Sequence, residues 1–255
     1  MSGKNQIAAH KKADTALAKA VAVVIDHDSF GEVSKEDIAI PFLTVLQPLS
    51  PQCTPGHAKE VEGARPGMIF QTVTGEVFTA LRVVPAEYRR TFIEWVPRNK
   101  GGGFRGEHGT EWEKIFESNR KGGRAILEND NELADTRSWY VMALRDDGSR
   151  FPAVISMGST QIGTSKKWGT MQMTPPPGHE GPLQRSSYTW HMGTQLQKND
   201  KGSWFGWTVR RGPAVTDEAL ARDCAGFRQQ VRGGAITVDH EQGQDAGQEP
   251  DGDAM

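Results

Sequence analysis

Cysteine is almost absent from this chain: its 255 residues hold only Cys53 and Cys224. The two are far apart and fit no paired-cysteine spacing, which excludes a disulfide framework and a zinc module and makes a reducing, cytoplasmic setting the expectation. Cys53 and His57 could share a metal, but two ligands do not make a site. Long apolar runs are missing as well. Ala20 to Ile25 is short, lies between Lys19 and Asp26, and is not followed by a signal-type cleavage site, so no membrane partner is expected. An excess of one charge is also lacking, since the formal charge is -2. That balance disappears when the chain is divided. Residues 237–255 hold six acids and no Lys or Arg, leaving 30 basic against 26 acidic residues, or +4, in the remainder. A mildly basic body carries an acidic tail.

Catalytic signatures are missing too. His10, His27, His57, His108, His179, His191 and His240 are scattered, with no HExxH motif and no Gly-x-Ser-x-Gly elbow. Gly101-x-Gly103-x-x-Gly106 matches the dinucleotide fingerprint letter by letter, but no helix is expected at its third glycine and no parallel βαβ unit surrounds it. Gly158 to Ser165 misses the phosphate-loop pattern because Thr164 stands where lysine is required. No cofactor, no metal and no reaction are therefore expected. An enzyme acting on nucleic acid would need carboxylates such as Glu94, Glu107 and Glu111 to converge.

What is present is a repeated pairing of cations with aromatic rings, densest in YRRTFIEWVPRNKGGGFRGEH, Tyr88 to His108. From Tyr88 to Val96 the residues roughly alternate, with Thr91, Ile93 and Trp95 on one face of a strand and Arg90, Phe92 and Glu94 on the other. Pro97 ends the strand, and Gly101, Gly102 and Gly103 open a loop able to take positive φ. Arg89, Arg90, Trp95, Arg98, Lys100, Phe104 and Arg105 are candidates for contacting single-stranded nucleic acid, where cations follow phosphates and rings stack on bases. A solvated hairpin tip with its rings turned inward is the competing reading. The same pairing recurs at Lys166, Lys167 and Trp168, and at Tyr188, Trp190, Arg210 and Arg211; Trp168 is expected to be exposed, and Tyr188 and Trp190, two apart, to form a stacking platform.

Turn and periodicity signals divide the chain into a flexible lead-in (1–37), one domain (38–232) and a disordered acidic tail (233–255). A short strand is expected over Ile38–Leu46 and a loop over 47–66. A hairpin of 68–72 with 77–84 follows, linked by 85–87 to the Tyr88 strand. Two more hairpins pair 137–145 with 151–157 and 186–197 with 203–211. Helices are expected over 110–120, over 159–171 with Ser159 as cap, and over 216–231 with Thr216 as cap. The fold class is mainly β (α+β), with antiparallel hairpins curled into a small barrel and short helices inserted between them.

PFLTVLQPLSPQ (41–52), GMIFQTVTGEVF (67–78), the Tyr88–His108 stretch, SMGSTQIGTSKKW (156–168) and NDKGSWFGWTV (199–209) together resemble a group of bacteriophage proteins associated with single-stranded DNA binding in phage replication and recombination. The resemblance runs in order over roughly residues 38–211. It implies an oligonucleotide-binding (OB-like) barrel, strand contacts at the matching loop and helix cations, and location in the host cell cytoplasm. The expected partners are single-stranded DNA, replication or recombination proteins at the tail Asp239–Asp253, and a second copy of the chain. The alternative is a phage protein-interaction factor, a virion component or an inhibitor of a host enzyme, whose exposed rings anchor a protein partner.

Overall fold

The computed structural model describes residues 40–240 apart from 122, 201 and 237; the expected lead-in and the tail beyond His240 lie outside the described residues. The fold is mainly β and antiparallel, and it is arranged around one long strand, β4 (Leu81–Trp95). Along one edge β4 pairs for nearly its full length with β8 (Glu132–Leu144). Its other edge is shared, with β10 (Tyr188–Asn199) pairing Leu81–Val83 and β5 (Phe104–His108) pairing Phe92–Trp95. β8 in turn holds β9 (Arg150–Gly158) and β7 (Arg124–Ile126), β7 pairs with β6 (Arg120–Lys121), and β10 pairs with β11 (Gly202–Ala214).

A separate three-stranded sheet of β1 (Leu43–Val45), β2 (Ile69–Gln71) and β3 (Val77–Phe78) lies against β9 and β11. Phe42 bridges to Val154 of β9. On the other side the side-chain amide of Gln47 acts as a rung, accepting from the Phe205 N–H and donating to the Phe205 carbonyl of β11, both at 2.9 Å.

Sequence alternation predicts a connector at Pro85 to Glu87, but β4 runs straight through it. Pro85 falls in the interval between the β10 and β5 pairings, so its missing N–H breaks no ladder on that edge. The register then slips by one residue between Pro85 and Glu87. This bulge reverses the phase of the strand. Before it, Leu81 and Val83 face the main core; after it, Tyr88 faces that core and Glu87 and Arg89 point to the opposite side.

The main core joins Leu43, Val83, Val141, Ile155 and Met157 to Trp139, Trp168, Trp190 and Trp207, and is covered by helix α2 (Ile162–Met173). The opposite side of the sheet buries Val84, Ala86, Tyr140 and Met142 under Leu220, Cys224, Phe227 and Val231 of helix α3 (Glu218–Arg232). Those four helix residues follow i, i+4, i+7 and i+11, the single apolar stripe a surface helix needs. Asp217, not the expected Thr216, caps α3 by accepting from the N–H groups of Ala219 and Leu220 at 2.8 and 3.1 Å. Ser159 likewise does not cap α2: it sits at φ 45° in a short 3-10 turn, Ser159–Gln161, that leads into the helix. Helix α1 (Glu113–Ser118) packs Phe116 on Phe92 at the far end of β4. Past α3, residues 233–236 and 238–240, expected as the start of the tail, turn back along the body. Ile236 and Val238 join the α3-side core, and His240 is buried between Phe42 and Phe104.

Candidate nucleic-acid interface

The β4–β5 hairpin has the turn its glycines allow. After Pro97 a 3-10 turn (Arg98–Lys100) leads into Gly101, Gly102 and Gly103 at φ 105°, 68° and 113°, values that a side chain would strain. Gly106, third glycine of the fingerprint, lies inside β5. Beneath the turn is a cleft of 640 Å³ lined by Trp95, Arg98, Lys100, Arg124, Asp130 and Glu132, among others. Trp95 is half-buried there, edge-on to Phe104 at 5.8 Å, and Phe104 stacks on His240 at 5.4 Å. The cleft is not purely cationic, since Lys100 pairs with Asp130 at 2.7 Å and Arg124 with Glu132. Counting Arg98, the lining has three cations against two acids.

The other expected contacts divide sharply. Arg105 is exposed on β5, and Lys166 and Lys167 are exposed on α2. Trp168 and Trp190 are not available as contacts: their exposures are 0% and 1%, Trp168 stacks on Trp139 with ring centroids 4.3 Å apart, and Trp190 meets Trp168 edge-on at 6.1 Å. Tyr188 and Trp190 do share a face, as their spacing requires, but that face is the core. On a helix neighbouring residues diverge by about 100°, so two lysines can point to water while the next residue points inward. Tyr188 is half-buried, with its hydroxyl 2.8 Å from His179 Nδ1.

Three predicted cations are tied up internally. Arg89 donates to the Val231 carbonyl at the end of α3 and lies 5.7 Å over Tyr140, whose buried hydroxyl is pushed up to about 12 by desolvation. Arg90 forms a two-pronged pair with Asp135 at 3.1 and 3.0 Å and also reaches Glu113, which raises it above arginine's usual value. Arg211 donates to the Met171 and Thr174 carbonyls at the end of α2 and covers Tyr188 and Trp190 at 5.2 and 5.3 Å.

Arg210 is different, because the register sets it opposite His191, and His191 opposite Arg82. Opposed residues on antiparallel strands project from the same face, about 5 Å apart. Arg210, His191 and Arg82 thus form a row across β11, β10 and β4, and none has an ion-pair partner among the described residues. The row stands on the α3 side, since Arg82 shares the pre-bulge phase of Val84. Small residues keep its surroundings low: a Cβ on Gly212 would come 3.1 Å from His191 Nε2, and one on Gly193 would come 3.2 Å from Thr208 Oγ1. Arg82 and His191 were missed from sequence. The signal was there, since Leu81, Val83, Trp190 and Met192 alternate with them, but only strand pairing puts the two side by side.

The carboxylates considered for an enzyme reading do not converge. Glu94 accepts from His108 at 2.9 Å and from Asn129 and Asn131; burial alone would raise it, and these bonds hold it below the usual carboxylate range. Glu107, opposite Ile93, faces the other side of the sheet and is lowered by its bond with His240. Glu111 turns back on the Gly109 N–H. Among the described residues no three His, Cys, Asp or Glu side chains gather where a metal ion could be held, and no helix is long and apolar enough to cross a membrane.

Residues 12–237 match the model of a family described as Pam3 phage gp34-like protein. The chain belongs to this family. Membership makes it a bacteriophage-type protein, and the family description states no activity. No curated protein and no solved structure matches the chain.

Proposed function

We propose that this gp34-like chain is a non-enzymatic, single-stranded DNA-binding protein of phage replication or recombination, acting in the host cytoplasm with little sequence preference. The observation that carries the reading is the row Arg210, His191 and Arg82, which has no ion-pair partner among the described residues. It lies on the same side of the sheet as Trp95, at the opposite end of β4. Phosphates would follow the row and the exposed Arg105, and one base would stack on Trp95 in the cleft, at ~1–3 kcal/mol. Lys166 and Lys167 on α2 are on the other side of the sheet and serve as peripheral cations. We infer the OB-like barrel as the architecture behind this site; the Phe42 bridge to β9 and the Gln47 rung to β11 support it.

Fluorescence anisotropy of labelled oligo-dT across a salt series tests the proposal. Binding should weaken with salt, with a log–log slope of about -0.7 for each phosphate neutralised. Arg82→Gln with Arg210→Gln should flatten that slope and weaken binding. No binding at low salt would sink the reading. Leu49, Met173 and Leu196, at 82, 77 and 56% exposure, favour the second reading, a protein-interaction factor, which salt-insensitive capture of a protein partner would support.

A further inference from the structure

The gap in the edge of β4 between β10 and β5 is filled by a 3-10 turn, Arg185–Ser187. At this gap two arginines meet one carboxylate and a third stands beside them. Glu87, aimed by the bulge and only 7% exposed, accepts from Arg232 Nε and from the Tyr88 N–H at 2.9 Å, with Arg185 Nε 4.0 Å away. Arg228 is held beside them by bonds from Nε to the Ala86 carbonyl at 2.9 Å and from Nη2 to the Ser186 hydroxyl at 3.3 Å. Burial, opposed by Glu87 and reinforced by repulsion from Arg228 and Arg232, holds Arg185 below arginine's usual value.

Two guanidinium charges are left without a counter-charge among the described residues. Capping the end of α3 does not account for them. Arg89 already donates to the Val231 carbonyl, and the Gly233 and Gly234 N–H groups bond to the Gln229 and Val231 carbonyls. Nη1 of Arg228 and both Nη atoms of Arg232 make no hydrogen bond among the described residues. Guanidinium forks with unused N–H donors and uncompensated positive charge match a phosphate group in shape and charge.

We propose that Arg185, Arg228 and Arg232 form a binding site for a phosphate dianion, with Glu87 positioning Arg185 and Arg232 and the Ala86 carbonyl and Ser186 hydroxyl positioning Arg228. The dianion comes either from the terminal phosphate of a nucleic-acid strand or from a free phosphate compound. The site does not depend on the strand-binding reading, because a phosphate alone tests it.

Arg185 lies 5.5 Å over the Trp139 ring, so an anion drawn to Arg185 should alter tryptophan emission. Inorganic phosphate titrated into the full chain at constant ionic strength should give a saturable emission change, with a matching heat by calorimetry. Arg228→Gln and Arg232→Gln, checked for unchanged melting, should each weaken it at least tenfold, and Lys114→Gln on α1 should leave it intact. No saturable response in either readout, or a response that survives both variants, overturns the site. Oligo-dT with a 5′-phosphate is then compared with its 5′-hydroxyl counterpart. Tighter binding of the phosphorylated strand, lost in both variants, assigns the strand end as the source; equal binding beside a saturable phosphate response assigns a free phosphate compound. If neither oligonucleotide binds, the strand-binding reading fails and the phosphate titration alone decides this site.

Discussion

The β4–β5 hairpin and the α2–β10 region have the same composition, cations next to aromatic rings, and use it in opposite ways. At the hairpin Trp95 is half-buried beside a cleft with Arg98 and Lys100 at its rim. Around α2, Trp168 and Trp190 are sealed in the core while Arg211 lies over the Tyr188 and Trp190 rings and ties β11 to the end of the helix. Adjacency along the chain therefore does not say whether a ring meets a base or another ring. What decides is the face on which the element buries its apolar side.

Substitutions should separate the two regions. The largest effect belongs to the core stack: Trp168→Ala should cost ~3–5 kcal/mol of stability, read as a fall in urea midpoint. Trp95→Ala should cost about 1 kcal/mol and instead weaken oligo-dT binding. If Trp168→Ala leaves the midpoint unchanged while reducing DNA binding, the comparison is reversed.

The cations give a second contrast. Arg211→Gln should lower stability by about 1–3 kcal/mol, because helix carbonyls lose a charged donor. Arg210→Gln, one residue away and exposed, should leave the midpoint in place and lower only oligo-dT affinity. Equal losses of stability in both would remove the distinction between tether and surface row.

A smaller change tests the helix that covers the α3 side. Asp217→Ala should cost about 1 kcal/mol as a lost N-cap, and Thr216→Ala should cost little. The reverse order in urea midpoints would restore Thr216 as the cap.

The carboxylates at the hairpin end add a pH test. The lowered Glu94 and Glu107 sit below their unfolded values, so the stability they contribute is complete above the ordinary glutamate range and is lost as pH falls through their lowered values. Glu94→Gln should make the acid limb of stability against pH shallower than in the parent chain; an unchanged limb would show that its bonds to His108, Asn129 and Asn131 carry no such stabilisation.

Much of this architecture could be read from the chain by itself. The alternation and turn residues place the β8–β9 and β10–β11 hairpins, the glycines place the positive-φ turn after Pro97, and the apolar stripe from Leu220 to Val231 places α3, because each of these signals is local. Tertiary structure alone decided the rest. A bulge at Ala86 carried β4 through Pro85 and turned Glu87 and Arg89 to the α3 side. Packing drew Trp168 and Trp190 inward, where burying large rings outweighs the neighbouring charges. Pairing between strands far apart in sequence aligned Arg82, His191 and Arg210, and the packing of a 3-10 turn and of α3 on β4 brought Arg185 and Arg232 to Glu87 with Arg228 beside them. Local patterns determine the elements and their faces; which faces are covered, and which charges meet, depends on contacts between residues that the chain order keeps apart.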